Sequence, residues 1–277
     1  MKFTVFASVL MLGAASALAD SVQGRFPARK CGTAHVDAAA EAKNQQLIKA
    51  YSQQAVQASY KRTVPVYWHT ITDGSKGSLS SSQIQSQIDV LNTDFAKAGY
   101  SFHLVGSDST LNPDWFHSAN ISTSQEVAMK ASLHRGGANA LNIYTVHTNK
   151  AIGWGTLPSD YSSAPSYDGI VINHGTLPGG PWPPAGLGRT ATHEVGHWLG
   201  LYHVFDGGCT GNGDFVDDTP AQATQTEGCP SFQDSCPGGG VDSIHNFMDY
   251  SDDACVNQFT KGQIMRMHAM SRAYRGI

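Results

Sequence analysis

The sequence predicts an α+β domain: a mixed, twisted β-sheet backed by one helix, with a second helix that carries histidines. Three observations support this prediction. Residues 63–71 are mainly β-branched and aromatic, as in a strand. Residues 84–95 repeat apolar side chains at helical spacing, and His193 and His197 are four residues apart, about one helical turn. Strand and helix signals alternating along one chain are typical of a sheet covered by helices.

The composition excludes several classes of protein. The 277 residues are 40% hydrophobic and 14% charged, against about 25% charged in an average soluble domain, so a disordered chain is excluded. A net charge of −4 and a pI near 6.3 leave no basic surface for a phosphate backbone, so we expect no nucleic-acid partner. Only four of the 22 acidic residues are glutamates, and the cysteine count, five, is odd.

Residues 1–19 have the organisation of a secretory signal peptide. Lys2 supplies a positive end, an apolar stretch follows, and Ala17 and Ala19 form a small-residue cleavage site. Ala and Ser dilute the stretch below the roughly 18 apolar residues of a membrane span, and no later stretch is apolar enough to cross a bilayer. We therefore expect a secreted, extracellular protein with no membrane partner, in which disulfides are allowed.

The elements follow in order. Residues 36–59 have the composition of a surface helix without a strong apolar stripe, so we expect them outside the main core. Residues 63–71 form the first strand, and Ser80 to Ser82 cap a helix that ends near Gly99. The apolar face of this helix consists of Ile84, Ile88, Leu91 and Phe95. Further short strands are predicted at residues 100–105, 141–147 and 169–173.

The most specific motif is His193-Glu-Val-Gly-His197-Trp-Leu-Gly200-Leu-Tyr-His203. On a helix, His193 and His197 share one face and can bind one Zn²⁺, while Glu194 reaches a water that the metal activates. In a continuous helix His203 would lie about 9 Å beyond His197 along the axis. Gly200 can adopt a positive φ, end the helix and return His203 to the metal. Three nitrogen ligands with an open fourth position describe one catalytic zinc ion, and the alternative is three buried core histidines.

This long motif, followed after 45 residues by Met248 in Asn-Phe-Met-Asp-Tyr, resembles the metzincin metalloproteases. Val204, directly after the third histidine, differs from the residues typical of astacins, matrix metalloproteases, adamalysins and serralysins. The wider pattern is similar to the pappalysin family, in particular to its compact secreted microbial members such as fungal extracellular metalloproteases. It consists of residues 188–192, 213–220, 248–253, 259–260 and 266–267, and the resemblance covers roughly residues 61–277.

The resemblance implies a metzincin-like zincin fold with an irregular C-terminal subdomain, a methionine turn and a C-terminal helix. It implies that Met248 lies beneath the metal and that Tyr250 stabilises the oxyanion; the alternatives are an ordinary core methionine and tyrosine. Asp252 or Asp253 would line a pocket for a basic side chain after the scissile bond, and the alternative is a solvated acidic turn.

Four cysteines in the last third of the chain admit three connectivities. The resemblance favours Cys209 with Cys236 and Cys229 with Cys255. The segment around the fifth cysteine, Cys31, resembles a cysteine switch, in which the thiolate occupies the open zinc position. Lys30 differs from the arginine of the usual Arg-Cys-Gly motif. An unpaired or intermolecularly paired thiol is the alternative.

We therefore assign residues 20–60 to a pro-segment and residues 61–277 to the catalytic domain. Asn120 begins a sequon that allows N-glycosylation. The glycine-rich, acidic residues 206–218 offer oxygen ligands for a structural Ca²⁺, and the alternative is a plain solvated loop.

The sequence thus predicts a monomeric, secreted zinc endopeptidase that acts on proteins or peptides. Glu194 would be its general base, and a basic residue would be preferred after the scissile bond. We expect the substrate to pair with an exposed strand edge, for which residues 169–173 are the candidate. Two rivals are a zinc hydrolase that acts on a non-peptide bond and a secreted binding or inhibitory module that keeps zinc for stability alone.

Overall fold

A computed structural model describes residues 30–33, 38–54, 61–149 and 151–277 of the chain. The predicted signal peptide, residues 1–19, lies outside the described residues, as does part of the predicted pro-segment. None of the helices in the described ranges is long and apolar enough to cross a bilayer.

The fold is α+β, as predicted. The helices are α1 Ala38–Gln54, α2 Ser81–Phe95, α3 Pro113–Ser118, α4 Ser124–Leu133, α5 Arg189–Trp198 and α6 Lys261–Met270, which continues as a π-helical turn over Ser271–Arg275. The strands are β1 Arg62–Thr72, β2 Tyr100–Leu111, β3 Leu141–Val146, β4 Gly153–Gly155 and β5 Ile170–Asn173.

The five strands form one mixed sheet in the order β2-β1-β3-β5-β4. β1 pairs in parallel with β2 and β3, β3 pairs in parallel with β5, and only β4 is antiparallel to its neighbour. The main core lies between this sheet and helices α2 and α5. The predicted apolar face of α2 is buried there, and Ser80 caps the helix together with Gln83.

The prediction that residues 169–173 form an exposed edge is wrong. β5 has β3 on one side and β4 on the other, so β4 is the edge strand at this end of the sheet. β4 is the tripeptide Gly153-Trp154-Gly155, whose glycines give no strand signal in the sequence. It is held by the buried Trp154, whose indole N–H donates to the Glu126 carboxylate.

Residues 199–260, all of which the structure describes, contain no helix and no strand apart from an isolated bridge between Asn246 and Gln258. This is the irregular C-terminal subdomain that the sequence predicts. Two disulfides, Cys209–Cys236 and Cys229–Cys255, tie it together, and they are the two pairs that the resemblance implies.

A buried ion pair anchors the chain end to the centre of the domain. Arg275 binds both carboxylate oxygens of Asp168, at 2.9 and 3.1 Å, and its Nε donates to the Trp198 carbonyl. The Trp198 indole N–H donates to the same carboxylate. Burial raises the pKa of Asp168, but the charge and hydrogen bonds of Arg275 outweigh burial and lower it. The network fixes the end of α5, from which the chain turns.

Candidate active site

Helix α5 is clamped at its first turn. Asp94 of α2 accepts hydrogen bonds from the Arg189 guanidinium and the Thr192 hydroxyl, both at 2.6 Å. Asp253 accepts the backbone N–H groups of Leu187 and Arg189. Free N–H groups at a helix start favour an acidic partner, so both carboxylates fix where α5 begins.

The helix brings His193 and His197 together, as the spacing predicts. Their Nε2 atoms are 3.2 Å apart, and the Nε2 of His203 is also 3.2 Å from that of His197. A tetrahedral zinc with bonds of about 2.0–2.1 Å holds its nitrogen ligands about 3.3 Å apart. The spacing of the three imidazoles is therefore that of ligands on a single ion.

The outer ring nitrogens fix the direction of two of these rings. His193 Nδ1 donates to the Phe247 carbonyl at 2.7 Å, and His197 Nδ1 donates to the Leu201 carbonyl at 2.8 Å. With the proton on Nδ1, the Nε2 lone pair points into the cluster. Both carbonyls thus prepare the imidazoles for a metal.

Gly200 makes the turn that the motif requires. α5 ends at Trp198, and Gly200 has φ +103°, a conformation that side-chain-bearing residues rarely adopt. A Cβ on Gly200 would also lie 2.8 Å from the Met270 side chain. The Leu201 N–H closes the turn on the Gly196 carbonyl, and the chain returns His203 to the cluster. The predicted bend is confirmed.

Met248 lies directly beneath the metal-binding helix. Its side chain is fully buried, and its sulfur would be 2.4 Å from a Cβ on Gly196. The turn around it is held by Asn246, whose side-chain oxygen accepts the Met248 N–H, and it presents the Phe247 carbonyl to His193. Asp249, which the sequence did not single out, accepts the N–H groups of Thr226 and Tyr250.

Glu194 is held between the edge strand and the N-terminal segment. It is 1% exposed, and a Cβ on Gly153 would lie 2.7 Å from its Oε1. The Cys31 thiol donates to its Oε2 at 3.2 Å. Glu194 therefore lies beside the histidine cluster, in the position expected of a base that acts on a neighbouring water.

Residues 30–33 run beside β4 and pair with it through a parallel bridge between Cys31 and Gly153. Ile152 N–H donates to the Lys30 carbonyl at 2.8 Å, and Gly32 N–H donates to the Gly153 carbonyl at 3.0 Å. This pairing brings the Cys31 sulfur to the three histidines. Cys31 and the three histidines each place a ligand atom within 4.8 Å of the others. Among the described residues, no other set of three or more His, Cys, Asp or Glu side chains converges in this way.

Tyr250 completes the site. Its hydroxyl accepts the Cys31 N–H at 2.9 Å and lies 3.3 Å from His203 Nε2. Burial, followed by the neighbouring charge of Cys31, raises the pKa of Tyr250, so its hydroxyl stays protonated and able to donate. Burial and the Glu194 carboxylate likewise raise the pKa of the Cys31 thiol, whereas a bound metal would lower it.

The remaining predicted residues are not among the four converging ligands. Asp253 is buried on the start of α5, as described, and Asp252 is half-buried with its N–H on the Gly228 carbonyl. Asn120 is half-buried in the turn between α3 and α4.

The carboxylates of residues 206–218 do not converge in the described structure. Three of the four accept from different backbone groups: Asp206 accepts the His203 N–H, Asp214 the Val216 N–H, and Asp218 the Gly262 N–H. They therefore act as turn acceptors, and their arrangement gives no support to the expected Ca²⁺ site.

Comparison with known proteins supports what this geometry indicates. A family model described as "Pregnancy-associated plasma protein-A" matches residues 142–271. An extracellular metalloprotease of Arthroderma benhamiae is 46% identical over 220 residues, which are 77% of this chain and 73% of the relative. One of Trichophyton verrucosum is 41% identical over 99% of both chains. The chain belongs to the pappalysin family of metalloproteases.

Solved structures of mirolysin and of a promirolysin mutant share the fold. Mirolysin in complex with a small compound is 33% identical, with a TM-score of 0.66 over 77% of this chain and 92% of the other. A mutant of promirolysin from Tannerella forsythia is 30% identical, with a TM-score of 0.71 over 89% and 95%. The metzincin fold that the sequence predicts is therefore confirmed, and membership of this family implies a zinc ion.

The contact between Gly153 and Glu194 yields a first prediction. Gly153→Ala is expected to lower kcat/KM for a protein substrate by at least about tenfold, because the new methyl group displaces the Glu194 carboxylate. The matched control is Gly106→Ala on β2, where a Cβ meets nothing closer than 3.6 Å. Steady-state kinetics of the activated enzymes measure both. Equal loss in the two variants, or none in either, would contradict the proposed closeness.

Proposed function

We propose that this pappalysin is a secreted, monomeric endopeptidase that cleaves proteins or peptides with Glu194 as its general base. The observation that carries the proposal is the convergence of three imidazole Nε2 atoms with that carboxylate beside them. His193, His197 and His203 would hold one zinc ion. When bound, zinc supplies Lewis acidity to water and to the scissile carbonyl.

The residues around the metal supply the proton transfers. The Glu194 carboxylate accepts a proton from the attacking water and delivers it to the leaving amine as the C–N bond breaks. The Tyr250 hydroxyl, once Cys31 has left it, donates to the oxygen that gains negative charge in the tetrahedral intermediate. Met248 supports the helix that carries two of the ligands.

Substrate binding would use β4. Its backbone forms one edge of the described sheet, residues 30–33 pair with that edge, and it passes beside Glu194. An extended peptide can add to such an edge through main-chain hydrogen bonds. The preference for Arg or Lys after the scissile bond belongs to the same proposal, carried by Asp252 or Asp253, and peptide-library cleavage of Asp252→Asn and Asp253→Asn variants would assign it.

We assign residues 20–60 to a pro-segment that holds the enzyme latent. Residues 30–33 occupy the edge that a substrate would need, and the Cys31 sulfur lies at the histidine cluster. The likeness to the promirolysin mutant covers 89% of this chain, whereas the likeness to mature mirolysin with a cleaved peptide covers 76%. The relatives named extracellular metalloproteases support secretion, to which residues 1–19 would direct the chain.

Replacing the base is the second prediction. Glu194→Gln is expected to reduce casein cleavage at least about 100-fold, because the amide cannot accept the water's proton. Zinc content, measured by elemental analysis, should stay at one ion per chain because Glu194 is not among the converging ligands.

The control is Glu227→Gln, the same substitution at one of the other three glutamates, which is exposed. It should leave both cleavage and zinc content unchanged. Wild-type turnover in Glu194→Gln would remove Glu194 from the mechanism.

Removing the thiol is the third prediction. Cys31→Ser precursor is expected to cleave casein without prior processing, because serine is a poor zinc ligand and leaves the fourth position to water. The control is Lys30→Arg, which changes the exposed neighbouring side chain and keeps the thiol. Initial rates of freshly purified precursors measure the effect, and a Cys31→Ser precursor as latent as wild type would exclude the switch.

A further inference from the structure

Helix α1 is attached to the rest of the protein through a buried carboxylate. It packs on α6 and lacks a strong apolar stripe. Its buried charged side chain is Glu41, which is only 2% exposed. A charged group is almost never buried without a partner, so this glutamate requires a dedicated binding site.

That site is a socket formed by Arg266 and Tyr202. The Arg266 guanidinium binds both oxygens of Glu41, each at 2.8 Å, and the Tyr202 hydroxyl donates to Oε2 at 2.7 Å. Burial alone would raise the pKa of Glu41, but the hydrogen bond and charge of Arg266 outweigh it and lower the pKa to about 2. Glu41 is therefore held as an anion at neutral pH.

Arg266 and Tyr202 both belong to the catalytic domain, while Asn44 and Gln45 of α1 also donate to the Glu41 carboxylate. Arg266 belongs to α6, and its Nε donates to the Gly200 carbonyl at 2.7 Å. Its guanidinium lies 4.4 Å from the centre of the Tyr202 ring, which braces it from one side. A planar fork held by a backbone carbonyl and an aromatic ring is preorganised for a carboxylate.

The socket and the histidine cluster are joined through one turn. Gly200, which Arg266 holds, is the residue that returns His203 to the other histidines, and Tyr202 directly precedes His203. Cys31 is anchored elsewhere, on β4, Glu194 and Tyr250. The N-terminal segment is thus held at two separate places.

We propose that the Arg266–Tyr202 socket is a carboxylate-binding site whose ligand is Glu41, and that this docking keeps Cys31 at the metal cluster. The proposal rests on the assignment of residues 20–60 as a pro-segment. Glu41 is a positioning residue that acts through Cys31. With α1 docked, Cys31 is tethered only ten residues away, which gives it a local concentration on the order of millimolar at its site.

The reactivity of the Cys31 thiol tests the proposal in the full-length precursor. Four of the five cysteines are paired in disulfides, so Cys31 is the single free thiol. Its rate of alkylation by iodoacetamide, followed by mass spectrometry, reports how often the segment leaves the cluster. Glu41→Gln keeps the shape of the side chain but removes its charge, and it is expected to accelerate alkylation at least about tenfold.

Two further variants make the result specific. Lys49→Gln neutralises an exposed charge on the same helix and is expected to alkylate at the wild-type rate. Tyr202→Phe keeps both charges and removes one donor to Glu41, so a smaller acceleration is expected, and it carries the test if Glu41→Gln does not fold by circular dichroism.

Equal alkylation rates in wild type, Glu41→Gln and Tyr202→Phe would overturn the proposal, as would an acceleration of the same size in Lys49→Gln. The readout is thiol chemistry and does not require turnover. If Glu194→Gln proved fully active while Glu41→Gln released Cys31, the proposed proteolytic mechanism would fail and the socket would stand.

Discussion

The constraint on which the structure depends is the approach of three imidazoles, with His197 Nε2 at 3.2 Å from the Nε2 of both His193 and His203. The lone pairs of His193 and His197 point inward because their outer nitrogens donate to carbonyls, and converging lone pairs are stabilised by a cation. The surrounding fold holds them in place: Asp94 and Asp253 fix the start of α5, and the Asp168–Arg275 pair fixes its end. A buried ion pair adds little net stability, so we interpret these pairs as groups that fix the position of α5.

The edge strand β4 passes beside the histidine cluster, and both residues 30–33 and the proposed substrate would pair with it. Its short glycine-containing backbone passes close to Glu194, and its open side pairs with residues 30–33. A substrate would need the same backbone groups, so occupation by the N-terminal segment and binding of a substrate exclude each other. The carboxylate of Glu41 then sets how firmly the first occupant stays, from a socket on different elements.

How far the sequence predicts this arrangement depends on the range of the interactions. The histidine spacing, the bend at Gly200 and the apolar face of α2 are local patterns, and each is found where it is predicted. The sequence does not predict β4, because Gly153 and Gly155 have no propensity for a strand. Without β4, residues 169–173 were wrongly predicted to be the edge. Glu41 and Arg266 lie 225 positions apart, and such a pairing leaves no periodic trace in one sequence. The disulfide partners were accessible only through the family resemblance.

X-ray absorption at the zinc edge of the purified precursor tests the central claim, that three histidines and Cys31 converge on one ion. The account predicts a first shell of three nitrogens at about 2.0–2.1 Å and one sulfur at about 2.3 Å. A shell without sulfur would contradict the placement of Cys31, and a shell with fewer than three nitrogens would contradict the metal centre itself.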